Sequence, residues 1–233
     1  MAGHLREKQT LKMKNMEKTK KCVVVFSGGP DSATVAYWAK NQGYQVFPIT
    51  FKYGQIAEKE TQAAQKIAET LGTTSKIVDL SALKDIFGGV TSLCNTNIPL
   101  TSEFSSPIIV PFRNGIFLSV AVAYAVAVGS EKIFYGAQGS DEPFYPDCRR
   151  EFYEAFEKAA MLGTGEEITI KAPFSRGKKA DLIIEGAKLG VPFEFTWSCY
   201  RNGKKHCGVC ESCVNRKKAF QEAGIADPTV YEK

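Results

Sequence analysis

Two clusters in this sequence combine residue types and spacings that could do chemistry. The first is Ser27-Gly28-Gly29-Pro30-Asp31-Ser32, which follows the apolar run Val23 to Phe26 and leads into a helix-like stretch. Paired glycines let backbone N–H groups approach an anion closely and converge on it, and the positive end of the next helix adds to that field. Ser27 and Ser32 offer hydroxyl donors. Asp31 is out of place in an anion site unless it caps the helix or positions a magnesium ion on phosphates. A phosphate cradle is the functional reading, and a glycine turn with a capping aspartate is the plainer one. The stretch is neither a Walker A loop, since it lacks Gly-Lys-Ser/Thr, nor a GxGxxG fingerprint.

The second cluster lies near the C-terminus. Cys207-Gly-Val-Cys210-Glu-Ser-Cys213, with Cys199 upstream, places four of the seven cysteines within fifteen residues. The first 21 residues are polar and lysine-rich, with no apolar segment of a secretion signal, so a cytoplasmic protein is expected. In that setting clustered cysteines argue for metal rather than disulfides. Four thiolates suit a closed tetrahedral zinc site, with Zn–S of about 2.3 Å. Such a site is structural, because no coordination position stays open. An iron–sulfur cluster is the competing use of three close cysteines. Gly208 supplies the tight turn, and His206 is not needed to complete the shell.

The elements that must position these clusters alternate. Strand-like runs are expected at 21–26, 44–51, 76–80, 131–136 and 167–171, although Pro48 weakens the second or marks an irregular end. Helices are expected at about 31–42, 56–71, 112–128, 149–162 and 178–189. Ile56, Ala63, Ala64, Ile67, Ala68 and Leu71 fall on one face of the second of these. The apolar run Ile116 to Val128 is too short to cross a bilayer and reads as a buried helix. Residues 88–111 form a long loop of the kind that is usually functional or mobile. Alternation of this kind reads as α/β: a doubly wound parallel sheet with helices on both faces. The expected divisions are a disordered basic tail at 1–20, an α/β body at 21–192 and a zinc-binding segment at 193–233.

Charge narrows the function classes. The formal net charge of +5 resides in residues 1–21, which hold seven Lys/Arg against two Glu, so the remainder is neutral. The body lacks the basic balance of a nucleic-acid binder. The tail reads as a solvated extension, and Met13 and Met16 are alternative starts.

The loop resembles the SGGxDS loop of the PP-loop ATP pyrophosphatases, which cleave ATP between the α- and β-phosphates and adenylate their substrates. Further stretches resemble the 7-cyano-7-deazaguanine synthase family within that group. These are Tyr53-Gly54-Gln55 with Glu60, VPFRNGIFLSVAVAYA (Val110 to Ala125), YPDCRREF (Tyr145 to Phe152), KKADLI and LGVPFEFTWSCY (Lys178 to Tyr200), CGVCESC, and AGIADP (Ala223 to Pro228). The resemblance spans about 22–231. It implies a ligase that joins ammonia to 7-carboxy-7-deazaguanine with ATP, through an amide, to give the nitrile that feeds queuosine and archaeosine. A related enzyme that stops at the amide, or uses another amine, is the alternative.

The resemblance also implies roles. Phe26, Ser27, Gly28, Gly29, Pro30, Asp31, Ser32 and Ala33 would bind ATP with magnesium, and Arg113 and Asn114 would hold phosphates or substrate, a helix cap being their plainer use. Lys179 would steady the phosphates, against a surface lysine. Tyr145, Asp147 and Arg149 would bind the acid: Asp147 would accept from its guanine-like donors, and Arg149 would meet its carboxylate. A helix cap is the plainer use of Asp147. Cys148 reads as a buried thiol rather than a nucleophile. Cys199, Cys207, Cys210 and Cys213 would hold one zinc. No glutaminase segment is apparent, so free ammonium is the expected nitrogen source. A homodimer is left open, and neither a membrane nor a nucleic-acid partner is expected. One stretch departs from the family pattern: Glu142-Pro143-Phe144 stands where small residues are usual.

Overall fold

The computed structural model describes residues 19–139 and 141–232. The basic tail expected at 1–20 therefore lies, through residue 18, outside the described residues, as do Met13 and Met16.

Five strands form one wholly parallel sheet in the order β3-β2-β1-β4-β5. They are β1 (Lys21–Val25), β2 (Gln45–Lys52), β3 (Lys76–Asp79), β4 (Lys132–Phe134) and β5 (Thr169–Lys171). Between them run α1 (Pro30–Asn41), α2 (Lys59–Thr70), the single turn α3 (Lys84–Phe87), α4 (Arg113–Val128), α5 (Arg150–Thr164) and α6 (Lys179–Lys188), and α7 (Glu211–Ala223) follows. Alternate strand residues face opposite sides. Val23, Ile49, Ile133 and Ile170 pack under α4 and α5. Cys22, Val24, Val46 and Phe134 pack under α1, α2, α6 and α7. This is the expected doubly wound α/β sheet. Its strand order runs outward in opposite directions from β1 and β4, and the crevice beyond the carboxyl ends of those two strands is where such sheets bind ligands.

Three expectations change. Pro48 does not weaken β2, which is an inner strand paired on both sides. The Phe26 N–H donates to the Ile49 carbonyl, so Ile49 faces β1 and Pro48 faces the other neighbour. That neighbour begins only at Lys76, opposite Ile49, so the missing proline N–H leaves no partner unsatisfied. The helix expected from residue 56 begins at Lys59, and Ile56 instead donates its N–H to the Leu93 carbonyl. Helix α4 is only half buried: Gly115, Phe117, Leu118, Ala121, Val122 and Ala125 meet the core, while Ala123, Val126 and Ala127 are exposed. It covers one sheet face and has no second layer over it among the described residues.

Helix α7 was not expected within the cysteine segment. Cys210 is its N-cap and its first turn carries Cys213 rather than apolar residues, and Phe220 joins the core beside Phe193. Among the described residues, no helix is long and apolar enough to cross a membrane.

Candidate functional site

The loop between β1 and α1 is shaped by its glycines and serines. Gly28 has φ +82°, and a side chain there would begin 2.5 Å from the Glu60 carbonyl and 2.6 Å from the Ala64 nitrogen. Only glycine lets the loop lie this close to α2. A side chain at Gly29 would meet nothing nearer than 3.5 Å, so no protein contact demands a glycine there. The two serine hydroxyls bond within the loop: Ser27 and Ser32 Oγ lie 3.2 Å apart, and Ser32 Oγ donates to the Gly29 carbonyl at 3.2 Å. Pro30 opens α1, where its missing N–H costs nothing.

Asp31 makes no cap hydrogen bond. Its Oδ2 accepts from Lys179 Nζ at 2.9 Å and from Gln138 Nε2 at 3.2 Å. Its Oδ1 is buried without a partner. Burial works against the Lys179 ammonium, but Asp31 and Asp141 outweigh it, so the Lys179 pKa lies above the ordinary lysine value. Burial also pushes the Asp141 carboxyl up to about 6, against the pull of Lys179.

The facing wall is built at the start of α4. Phe112 adopts the left-handed conformation with φ 55°, a strained state for a bulky residue, and turns the chain into Arg113 and Asn114. The Asn114 N–H donates to Asp147 Oδ2 at 2.9 Å, and Asn114 Nδ2 donates to Cys148 Sγ at 3.4 Å. Asp147 thus closes the N-terminus of α4. Burial pushes the Cys148 thiol up to about 12, helped by Asp141 and Asp147, so it stays protonated at neutral pH. Arg113 Nη1 donates to Tyr53 Oη at 3.2 Å. Burial raises the nearby Glu60 carboxyl to about 7, although Arg113 and Gln55 favour its charge.

The C-terminal segment forms a third wall. The Trp197 N–H donates to the Gly28 carbonyl at 2.9 Å, tying this segment to the loop. Cys199, Cys207, Cys210 and Cys213 are buried, with their sulfurs all within 4.8 Å of one another. Backbone N–H groups of Arg201, Cys207 and Cys210 donate to cysteine sulfurs at 3.3 to 3.4 Å, as suits thiolates. A soft, closed set of four thiolates fits a resident metal ion. His206 stands apart from it: its Nε2 accepts from the Ser198 N–H at 3.0 Å.

These walls enclose one cavity of about 250 Å³ at the carboxyl ends of β1 and β4. From the predicted residues it takes Phe26, Ser27, Gly29, Pro30, Asp31, Ser32, Arg113, Asn114, Tyr145, Asp147 and Lys179. Gly28 and Ala33 are not part of its wall, and neither is Arg149, whose Nε donates to the Glu142 carbonyl at 3.1 Å. Glu142, Pro143 and Phe144 also lie outside it, between Asp141 and Tyr145, which do not. Sequence reasoning missed Glu60 as a site residue, and it missed Trp197, Ser198, Tyr200, Glu211, Ser212 and Asn215. The last three sit in or beside the cysteine motif, whose spacing signals only the thiols. Among the described residues five carboxylates line the cavity (Asp31, Glu60, Asp141, Asp147, Glu211) against the two cations Arg113 and Lys179. A polyphosphate entering this field needs added positive charge. The unpartnered Asp31 Oδ1 is an oxygen ligand suited to a magnesium ion.

Known proteins resemble this chain in fold and in sequence. A solved 4-thiouridine synthetase, in a complex with RNA and with bound ATP, shares the fold: the TM-score is 0.52 at 16% identity, covering 88% of this chain and 50% of that one. The 7-cyano-7-deazaguanine synthase of Caldicellulosiruptor saccharolyticus is 42% identical over 215 residues, 91% of this chain and 96% of that protein. The enzyme of the same name from Methanoculleus marisnigri is 44% identical over 222 residues, 92% of this chain and all of that protein. The family model described as queuosine biosynthesis protein QueC matches residues 21–224. Loop, cysteines and the cavity between them all fall inside that match, and the chain belongs to the QueC family.

Proposed function

We propose that this chain is an ATP-dependent carbon–nitrogen ligase that converts 7-carboxy-7-deazaguanine and ammonia into 7-cyano-7-deazaguanine. The observation that carries this reading is the Asp31–Lys179 pair, set beside the SGGPDS loop with Asp31 Oδ1 unpartnered. The names of the relatives supply the substrate class.

The chemistry follows from the substrate. A carboxylate is a poor electrophile. Attack of its oxygen on the α-phosphorus of ATP breaks the bond to the departing pyrophosphate and leaves an acyl adenylate. Ammonia then adds to the acyl carbon, a proton is lost and AMP leaves, giving the amide. A second ATP activates the amide oxygen in the same way, and loss of AMP and the N–H protons gives the nitrile. Two ATP are used, one per oxygen removed.

In this reading the loop N–H groups and Lys179 hold the pyrophosphate as charge moves onto it. Asp31 Oδ1 would ligate magnesium, which supplies charge neutralisation on the phosphates. Asp31 Oδ2 keeps the Lys179 ammonium charged and placed. Arg113 and Asn114 face the same space across the cavity. Arg149, through the Glu142 carbonyl, shapes the 141–145 turn that carries Asp141 and Tyr145 into the wall. The four cysteines would hold zinc, which ties α7 to the cavity rather than taking part in the reaction.

Mass spectrometry of products from the full chain with the acid, ATP, magnesium and ammonium tests the reading. Nitrile with two AMP per molecule is expected, and Lys179→Met should slow it by about 100-fold or more. Accumulation of the amide would show an enzyme that stops half-way. Absence of AMP with metal-loaded protein would overturn the reading.

A further inference from the structure

We infer that Glu211, placed by the metal-binding segment, reads the guanine-like edge of the substrate, accepting from its ring N–H and its 2-amino group. The inference rests on the ligase reading above and deepens it.

Glu211 is the first residue of α7, between Cys210 and Cys213. Only 8% of it is exposed, and it lines the cavity on the side that also holds Tyr145 and Tyr200. Its oxygens are fixed by neutral donors: Tyr200 Oη donates to Oε2 at 2.9 Å, and Asn215 Nδ2 donates to Oε1. No lysine, arginine or histidine forms an ion pair with it among the described residues. A buried carboxylate without a cation is costly, and the cost is met only by hydrogen bonds that satisfy its lone pairs. A carboxylate offers about four acceptor positions, of which two are used here. Two remain for donors from the cavity.

A 2-amino-4-oxo deazapurine presents two parallel N–H donors on one edge, and an oriented carboxylate matches that pair. The other cavity carboxylates face a cation or a helix start: Asp31 Oδ2 accepts from Lys179, Asp141 also lies near Lys179, Glu60 lies near Arg113, and Asp147 Oδ2 accepts from the Asn114 N–H that opens α4. Tyrosines at the same end suit a flat heterocycle. The arrangement also explains why a metal segment remote from the phosphate loop shares a cavity with it. The thiolates anchor the turn that aims Glu211.

Steady-state kinetics of the full, metal-loaded chain test this, using 7-carboxy-7-deazaguanine and the analogue with hydrogen in place of the 2-amino group. The wild type is expected to prefer the parent acid by about 10- to 100-fold in kcat/KM, the worth of hydrogen bonds to a buried charge. Glu211→Gln should raise KM for the acid by a similar factor, leave KM for ATP within about threefold, and reduce the preference between the two acids to about threefold or less. Metal content, measured on the same samples, should not change. If Glu211→Gln loses metal, Glu211→Asp replaces it, and the preference between acids should again collapse. Equal use of both acids by the wild type overturns the assignment, and so does an unchanged preference in a metal-loaded variant. A wild type that forms no AMP with the parent acid overturns the ligase reading itself, and the assignment falls with it.

Discussion

Asp31 and Lys179 stand 148 positions apart in the chain and 2.9 Å apart in the fold. Their pairing gives an aspartate that is anomalous beside a proposed phosphate cradle a reason to be there. It holds a cation in place with one oxygen and leaves the other free. Glu60 illustrates a different balance. Burial raises its carboxyl from the ordinary 4.5 to about 7, so between those values the folded chain binds a proton that the unfolded chain has released. Stability contributed at this site therefore falls as pH rises from about 4.5 to about 7, then levels off. Denaturant melts at pH 5 and pH 8 should show the wild type losing about 2 to 3 kcal/mol more than Glu60→Gln over that interval. Equal losses would show that the Glu60 carboxyl is not raised.

At the scale of elements, the loop is shaped by its close approach to α2. A side chain at Gly28 would collide with the α2 backbone as well as force a left-handed residue. Gly28→Ala should cost about 2 to 4 kcal/mol, read by denaturant melts. Gly29→Ala meets no such clash. It should keep its melting temperature within about 3 °C while raising KM for ATP about tenfold or more, because the added methyl would stand where phosphate oxygens must approach. A Gly29→Ala that destabilises as much as Gly28→Ala would mean that both glycines serve the fold alone. Helix α4 shows why elements are read less surely than motifs. Its composition is almost wholly apolar, yet only one face is covered, and Ser119, Ala123, Val126 and Ala127 stand exposed on the other.

At the scale of the whole molecule, the C-terminal segment is knit together by a fully buried arginine. Arg216 Nε donates to Asp227 at 3.1 Å, Nη1 to Thr196 Oγ1 at 2.7 Å and to Ser198 Oγ at 3.2 Å, and Nη2 to the Phe193 carbonyl at 3.1 Å. The four cysteines, α7 and the Trp197 contact to the loop continue from that anchor. Stripping the metal with a strong chelator should therefore lower the melting temperature by on the order of 10 °C and abolish turnover of the acid, with both restored by added zinc. Thermal melts and activity followed through depletion and repletion check this. Complete metal loss with an unchanged melt would show that Arg216 and the core hold the segment without it.

The sequence by itself determined the strand–helix alternation, the Ser-Gly-Gly loop and the four-cysteine cluster, because each is written in local spacing: a continuous apolar run in β1, glycines before a helix start, Cys-x2-Cys repeats. Side-chain partners across the chain were not legible in that way. Asp147 turned to the start of α4, Arg149 to the Glu142 carbonyl and Ser32 to its own loop, while Glu60, Glu211 and Asn215 came into the cavity with no role read for them in the sequence. Only the tertiary structure decided these, because the order β3-β2-β1-β4-β5 sets which strand ends and helix starts face each other. A buried carboxylate is then defined by the donors that this arrangement brings to it.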